Sequence, residues 1–345
     1  MKCALIMICA GAAAATFAAG CRPFQETMII ADPTSLLPAN PSPAIARPDP
    51  RDAQRDRLAE ANAASDAGEY ELALSLFREL LAENPTLTTA YVGIGEVHLD
   101  RRDYARAEPA FARAVRLSPR SFDAQYGHGL ALHMLERFIE AVKAYHRALT
   151  IRPDSFKTNS NLATAYLQMS KPSSAVIFGQ KAVELDPSDG AARANLGAAY
   201  EQVGRSADAV AHYVVAMELL ERTTPLMMNL INVLAREARY REAANTAETL
   251  VKLEPSTNAY ERLGWCFFRL GEYDRSLDAY RSAVEIDPGH WPSLNGVAVN
   301  ALNAWLLNDK RDEAAATEAR DAFRRSLRVN PDQPRVIILL SKYGL

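Results

Sequence analysis

Proline recurs in this chain at a fixed interval. Pro85, Pro119, Pro153 and Pro187 stand 34 residues apart, Glu221 holds the next place, and Pro255 follows it by 34 again. Pro288 then comes after 33 residues and Pro331 after 43. A period of about 20–50 residues marks a repeat array, in which each repeat buries its apolar face against its neighbours and not in one central core. Such a chain has little freedom left in its fold class.

The residues between the prolines repeat as well. The second repeat reads Tyr91, Ile94, Gly95 and His98, then Ala107, Phe111 and Pro119. The fifth reads Arg193, Leu196, Gly197 and Tyr200, then Ala209 and Tyr213. The seventh reads Tyr260, Leu263, Gly264 and Phe267, then Ser276, Tyr280 and Pro288. A small residue at the eighth place (Gly95, Gly129, Ala163, Gly197, Gly264) lets two helices approach closely. The aromatic at the twenty-fourth place fills the gap between repeats, and proline ends the second helix because it has no N–H to continue the ladder. Gly68, Gly204 and Gly271 supply the left-handed turn between paired helices.

This pattern resembles the tetratricopeptide repeat, aromatic-x2-Leu-Gly-x2-Tyr, then Ala-x3-aromatic, then Pro. The resemblance implies an all-α fold: a right-handed superhelical solenoid of about eight helix-turn-helix repeats over residues 54–331, with 332–345 as a capping helix. The first repeat is degenerate, carrying Glu60 and Ala61 where Leu-Gly belongs, and the fourth has Gly179 at the aromatic place, a weak point in packing. The eighth is stretched by nine residues, so its first helix is expected to run through Trp305 and Leu307 to a loop at Asn308-Asp309-Lys310. The apolar tail Val336 to Leu340 is expected to cap the last repeat, with a dimer or partner contact as its other use.

The N-terminal segment is of a different kind. Lys2 precedes an apolar stretch from Ala4 to Ala19 that is short for a membrane span and suits a secretory signal over 1–20. Ala18-Ala19-Gly20-Cys21 resembles a bacterial lipobox, although Ala18 stands where Leu is usual. The resemblance implies acylation of Cys21 and a lipid-bilayer anchor; simple cleavage without acylation is the other outcome. Arg22 in place of Asp points, by the sorting rule of such proteins, to the outer membrane. Residues 21–53 are rich in proline without helical periodicity and read as a tether, about 90 Å long if extended as polyproline. Cys3 and Cys9 leave with the signal and Cys21 with the lipid, so Cys266 has no partner for a disulfide or a cysteine-based metal site.

Charge and motif content narrow the function. A net charge of −3 with both signs interspersed offers no basic face for nucleic acid. No catalytic, metal-binding or nucleotide-binding motif is present, so neither enzyme activity nor a cofactor is expected; His98 and His128 occupy packing places of the repeat. In this repeat family the first helix of each pair lines the groove. Its sixth place reads Asn161, Asn195, Asn229 and then Arg262, with Asn232 at a ninth place. An Asn amide can both donate to and accept from a peptide backbone, so a row of them suits a peptide-binding groove; solvating that groove is the plainer role. A carboxylate clamp fails, because Asn229 and Arg262 fit but Ala194, Ala198 and Asn258 hold the other places. Trp265 and Phe268, with Arg269 beside them, are aromatic groove residues that repeat packing does not require and are candidate anchors, unless the long helix with Trp305 covers them. The expectation is a non-enzymatic protein–protein scaffold facing the periplasm, engaged in assembling a pilus, secretion or envelope complex. A regulatory subunit of an envelope glycosyltransferase or peptidase, or a solenoid binding a glycan or small ligand, remains open.

Overall fold

The computed structural model describes residues 50–345. The expected signal peptide, Cys21 and the expected tether as far as residue 49 lie outside the described residues. The chain divides into two compact units, one ending at Lys171 and the other beginning at Pro172. Among the described residues every regular element is a helix.

The first unit contains α1 (Pro50–Asp66), α2 (Tyr70–Glu83), α3 (Thr88–Asp100), α4 (Tyr104–Leu117), α5 (Phe122–Met134), α6 (Phe138–Ile151) and α7 (Phe156–Gln168). Helix α1 starts at Pro50, four residues before the repeat region expected at 54, since proline is well tolerated in a first helical turn. Side-chain caps start several later helices. Asp103 accepts from the Arg106 amide at 3.2 Å, and Ser121 and Ser155 do the same for Ala124 and Thr158.

The turns between paired helices carry one left-handed residue, except the last, where Asp309 and Lys310 both adopt it. Gly68, Gly204 and Gly271 adopt it at φ 77°, 81° and 77°, as expected. Arg102, Glu136, Ser170 and Ala238 adopt it too, at φ 55–59°, without the freedom of glycine.

Where a repeat carries the aromatic, that ring is the core. Phe77, Phe111, Tyr145, Tyr213 and Phe323 are almost wholly buried. Phe111 of α4 is gripped from both sides: a Cβ at Gly95 would lie 2.6 Å from its ring and one at Gly127 only 2.2 Å. The ring therefore touches the eighth place of its own repeat and the sixth place of the next.

The second unit contains α8 (Pro172–Leu185), α9 (Gly190–Gln202), α10 (Ser206–Leu219), α11 (Thr224–Arg236), α12 (Tyr240–Leu253), α13 (Thr257–Leu270), α14 (Tyr273–Ile286), α15 (Trp291–Leu307), α16 (Glu313–Val329) and α17 (Pro334–Tyr343). Helix α15 runs to Leu307, and α16 is lengthened to match, each having 17 residues. Helix α17 lays Val336 on the cluster that holds Trp305 and Phe323. It leaves Ile337 and Ile338 exposed by 51% and 61%. The tail thus covers the last pair and also presents an apolar edge.

Candidate functional site

The sixth place of the groove helix has a role inside the fold. Where the preceding aromatic is Phe77 or Phe111, the residue sixteen positions later is Gly93 or Gly127, and the ring fills the space a side chain would need. Where it is Tyr145 or Tyr213, that residue is Asn161 or Asn229, whose amide faces the phenol. A buried hydroxyl without a partner costs free energy, so a tyrosine in the gap calls for a polar neighbour. Tyr280 is the exception, with Gly296 opposite.

In the first unit, Asn161 of α7 also donates to the Tyr126 hydroxyl at 3.2 Å. Tyr126 and Tyr145 lie 6.1 Å apart, ring to ring. Burial pushes the Tyr126 phenol up to about 12, against the pull of the Asn161 amide, and holds Tyr145 well above its usual range. The Tyr145 hydroxyl lies 3.5 Å from Nδ1 of His133, whose imidazole burial keeps below its ordinary value while a bond with Gln168 pulls it back. Asn161, Tyr126, Tyr145, His133 and Gln168 therefore form one polar cluster, and Asn161 is committed to it. His98 is 7% exposed and burial lowers its imidazole below the ordinary value, while half-buried His128 meets Glu108 at 3.3 Å.

The other sequence-selected residues lie in the second unit. Asn195 of α9 is half-buried, and the aromatic place facing it is Gly179 of α8. On α11, Asn229 and Asn232 share one face, three residues apart. The Tyr213 hydroxyl near Asn229 donates to Glu201 at 3.2 Å, and Glu201 pairs with Arg236 at 2.9 Å. On α13, Arg262, Trp265 and Phe268 follow one another at three-residue steps, all half-buried.

Each of these three has a distinct setting. Nε of Arg262 lies 3.4 Å from the Glu261 carboxylate but out of hydrogen-bonding alignment. Trp265 meets Tyr240 edge-on at 5.7 Å between ring centres and packs against the buried clusters on both sides of it. That corrects the expectation that the repeat does not need it: Trp265 is partly a packing residue, and the cluster containing Trp305 covers one side. Arg269 lies over both the Tyr240 ring, at 4.6 Å, and the Trp265 ring, at 5.5 Å, and donates to the Tyr240 hydroxyl. Phe268 instead meets Tyr273 edge-on at 5.5 Å.

Other chemistry is sparse. Cys266 is fully buried, and burial pushes its thiol up to about 12, which makes it a packing residue rather than a nucleophile. Among the described residues no His, Cys, Asp and Glu side chains gather to hold a metal ion, and no helix is long and apolar enough to cross a membrane. What the sequence-selected positions of α9, α11 and α13 offer is half-buried amides, an arginine and half-buried aromatics.

Known proteins share this architecture. The solved structure titled as the functional characterization of Pseudomonas aeruginosa pilF aligns over 59% of this chain and 93% of its own, with a TM-score of 0.52 and 18% identity. A tetratricopeptide repeat protein from Parabacteroides merdae aligns over 72% of this chain and 99% of its own, at a TM-score of 0.49 and 13% identity. The small glutamine-rich tetratricopeptide repeat-containing protein 2 of Mycosarcoma maydis is 28% identical over 113 residues, 32% of each chain. The match thus spans about a third of that relative's length. The family profile described as tetratricopeptide repeat matches residues 58–100, 92–156, 160–216 and 228–290. With its helix pairs, its aromatic gap-fillers and these matches over more than half its length, the chain belongs to the tetratricopeptide repeat family, a protein–protein interaction scaffold.

Proposed function

We propose that this chain is a scaffold tethered to a bacterial envelope membrane through acylated Cys21, facing the periplasm, that captures a segment of a partner during assembly of a pilus, secretion or envelope complex. The observation that carries the binding role lies on α13, with α11 beside it in the same unit. Arg262 and Phe268 are half-buried on α13 at helical spacing, with a Trp265 ring between them already fixed by Tyr240 and Arg269, and Asn232 is half-buried on α11. A rigid aromatic flanked by polar side chains is the usual make-up of a binding anchor. The lipobox-like Cys21 supports the envelope setting, and the likeness in fold to pilF is compatible with a role in pilus assembly. Because Asn161 and Asn229 serve tyrosines of the fold, Asn232 is the better candidate to hold partner backbone.

The test is envelope crosslinking of the full chain beside an Asn232→Ala, Arg262→Ala variant, with mass spectrometry of what is captured. Secretin or pilus components captured only by the intact face support the reading. A biosynthetic enzyme in their place makes the chain its regulatory subunit, and identical captures remove this face from the function. Cys21→Ala is expected to release the protein into the soluble periplasm; unchanged membrane association would overturn the anchor.

A further inference from the structure

The stretched eighth repeat builds a second feature, apart from the groove. Because α15 continues to Leu307, its last turn overhangs the turn between α13 and α14, and a cleft of about 490 Å³ opens there. Leu277, Ala304 and Leu307 give it apolar walls, Tyr273 an aromatic one, and Asn300 lines it as well.

Asn300 is 2% exposed, and its bonding is determined by its neighbours. Ser276 Oγ donates its single proton to the Gly264 carbonyl at 2.8 Å, so it can only accept from Asn300. Nδ2 of Asn300 therefore points to Ser276 at 3.0 Å, and its other hydrogen goes to the Gly296 carbonyl at 2.8 Å. Both donors are spent, and Oδ1 is buried with no donor among the described residues. A buried unpaired acceptor is costly and marks a place where a donor fits.

The charges at the rim are already balanced. Glu272 is bridged by Arg241 and, at 2.7 Å, by Arg275, which also pairs with Glu248 at 2.5 Å and covers the Phe267 ring. Asp274 sits in the first turn of α14, where a carboxylate complements the helix N-terminus. The occupant is accordingly neutral, largely apolar and able to donate. An indole brings a single donor on an apolar body, which matches one unpaired buried acceptor between apolar walls.

We infer that this cleft is a docking site for a tryptophan side chain of a partner protein, with the indole N–H on Asn300 Oδ1 and the ring between Leu277, Ala304 and Leu307. Entry requires a surface side chain to turn aside, and Leu307, 75% exposed, is free to do so. The cleft adjoins the α13 surface only through Tyr273, which meets Phe268, and its test reads neither Asn232 nor Arg262.

The test uses 3-methylindole as probe and 1,3-dimethylindole, which has lost the donor, as control, titrated into isotopically labelled full-length protein. Amide shifts of Leu277, Ala304 and Leu307 report the cleft. The inference expects 3-methylindole to bind about tenfold or more tighter than the dimethyl analogue. It also expects Ala304→Trp, at an exposed position, to fill the cleft and abolish the shifts, and Leu307→Ala to weaken them. Equal binding of the two indoles, shifts that persist in Ala304→Trp, or no shift at these residues up to the probe's solubility each overturn it.

Discussion

A single ring sets how closely two repeats approach, and the residue opposite it must match. The Phe111 ring leaves no room at Gly127, where an added Cβ would sit 2.2 Å away. Gly127→Ala is therefore expected to cost about 1–3 kcal/mol through overpacking, seen as a lower urea midpoint with an unchanged slope. An unchanged midpoint would mean the ring can turn aside. Ala238 poses the opposite case, a left-handed residue at φ 55° that carries a side chain for no evident reason. The conformation costs about 1–2 kcal/mol without glycine, while glycine loses about 0.5–1 kcal/mol of chain entropy. Ala238→Gly should thus raise stability by about 0.5–1 kcal/mol, and a loss in thermal unfolding would show that the turn is not strained. The matching rule was present in the sequence, because Phe precedes Gly, and Tyr145 and Tyr213 precede Asn, at a fixed interval of sixteen. Reading the Asn row down the groove alone hid it, since the tyrosines that Asn161 and Asn229 serve lie on the second helix of the preceding repeat.

At the scale of the element, periodicity and length were legible and partnership was not. Nine extra residues between Pro288 and Pro331 announced a long α15, and the run from Val336 to Leu340 announced a terminal helix. No spacing could say that Trp265 would be shared between two buried clusters, or that Asn300 would spend both its donors on Ser276 and Gly296. Those outcomes depend on which helices meet, not on their own patterns. Helix α17 illustrates the difference. It buries Val336 and packs Leu339, Leu340 and Tyr343 against the α15–α16 pair, with the Tyr343 ring edge-on to Trp305 at 6.5 Å. Deleting residues 332–345 should remove about 3 kcal/mol or more of apolar burial from that pair. In an array held by neighbour contacts the loss stays local. Hydrogen exchange is expected to accelerate in α15 and α16 while α1–α7 keep their protection; uniform loss of protection would contradict a neighbour-only architecture.

For the whole molecule, acid distinguishes the two units. Burial holds His98, His133 and His146 in the first unit, and His212 in the second, below the ordinary histidine value of 6.5. Each takes a proton less readily when folded than when unfolded. The unfolded chain therefore binds more protons in the window below 6.5, and stability must fall as pH drops through it. Above that window these histidines contribute no slope. The carboxylates held low by partners, such as Glu140 beside Arg137 and Glu272 between Arg241 and Arg275, lose their contribution only as pH falls below their unperturbed 4.5. Comparison at pH 7.5 and 5.5 thus weighs the four histidines against Asp100 alone, whose carboxyl is held above its usual range by burial and by Asp66. With three of the four in the first unit, that unit is expected to weaken more. The tryptophans supply the readout, because Trp265, Trp291 and Trp305 all lie in the second unit. Their fluorescence follows that unit alone, whereas circular dichroism follows every helix. Acidification from 7.5 to 5.5 should lower the urea midpoint read by circular dichroism more than the midpoint read by fluorescence. Equal shifts in the two signals would mean that the units unfold together, and a rise in either would mean that the histidines are charged in the folded chain.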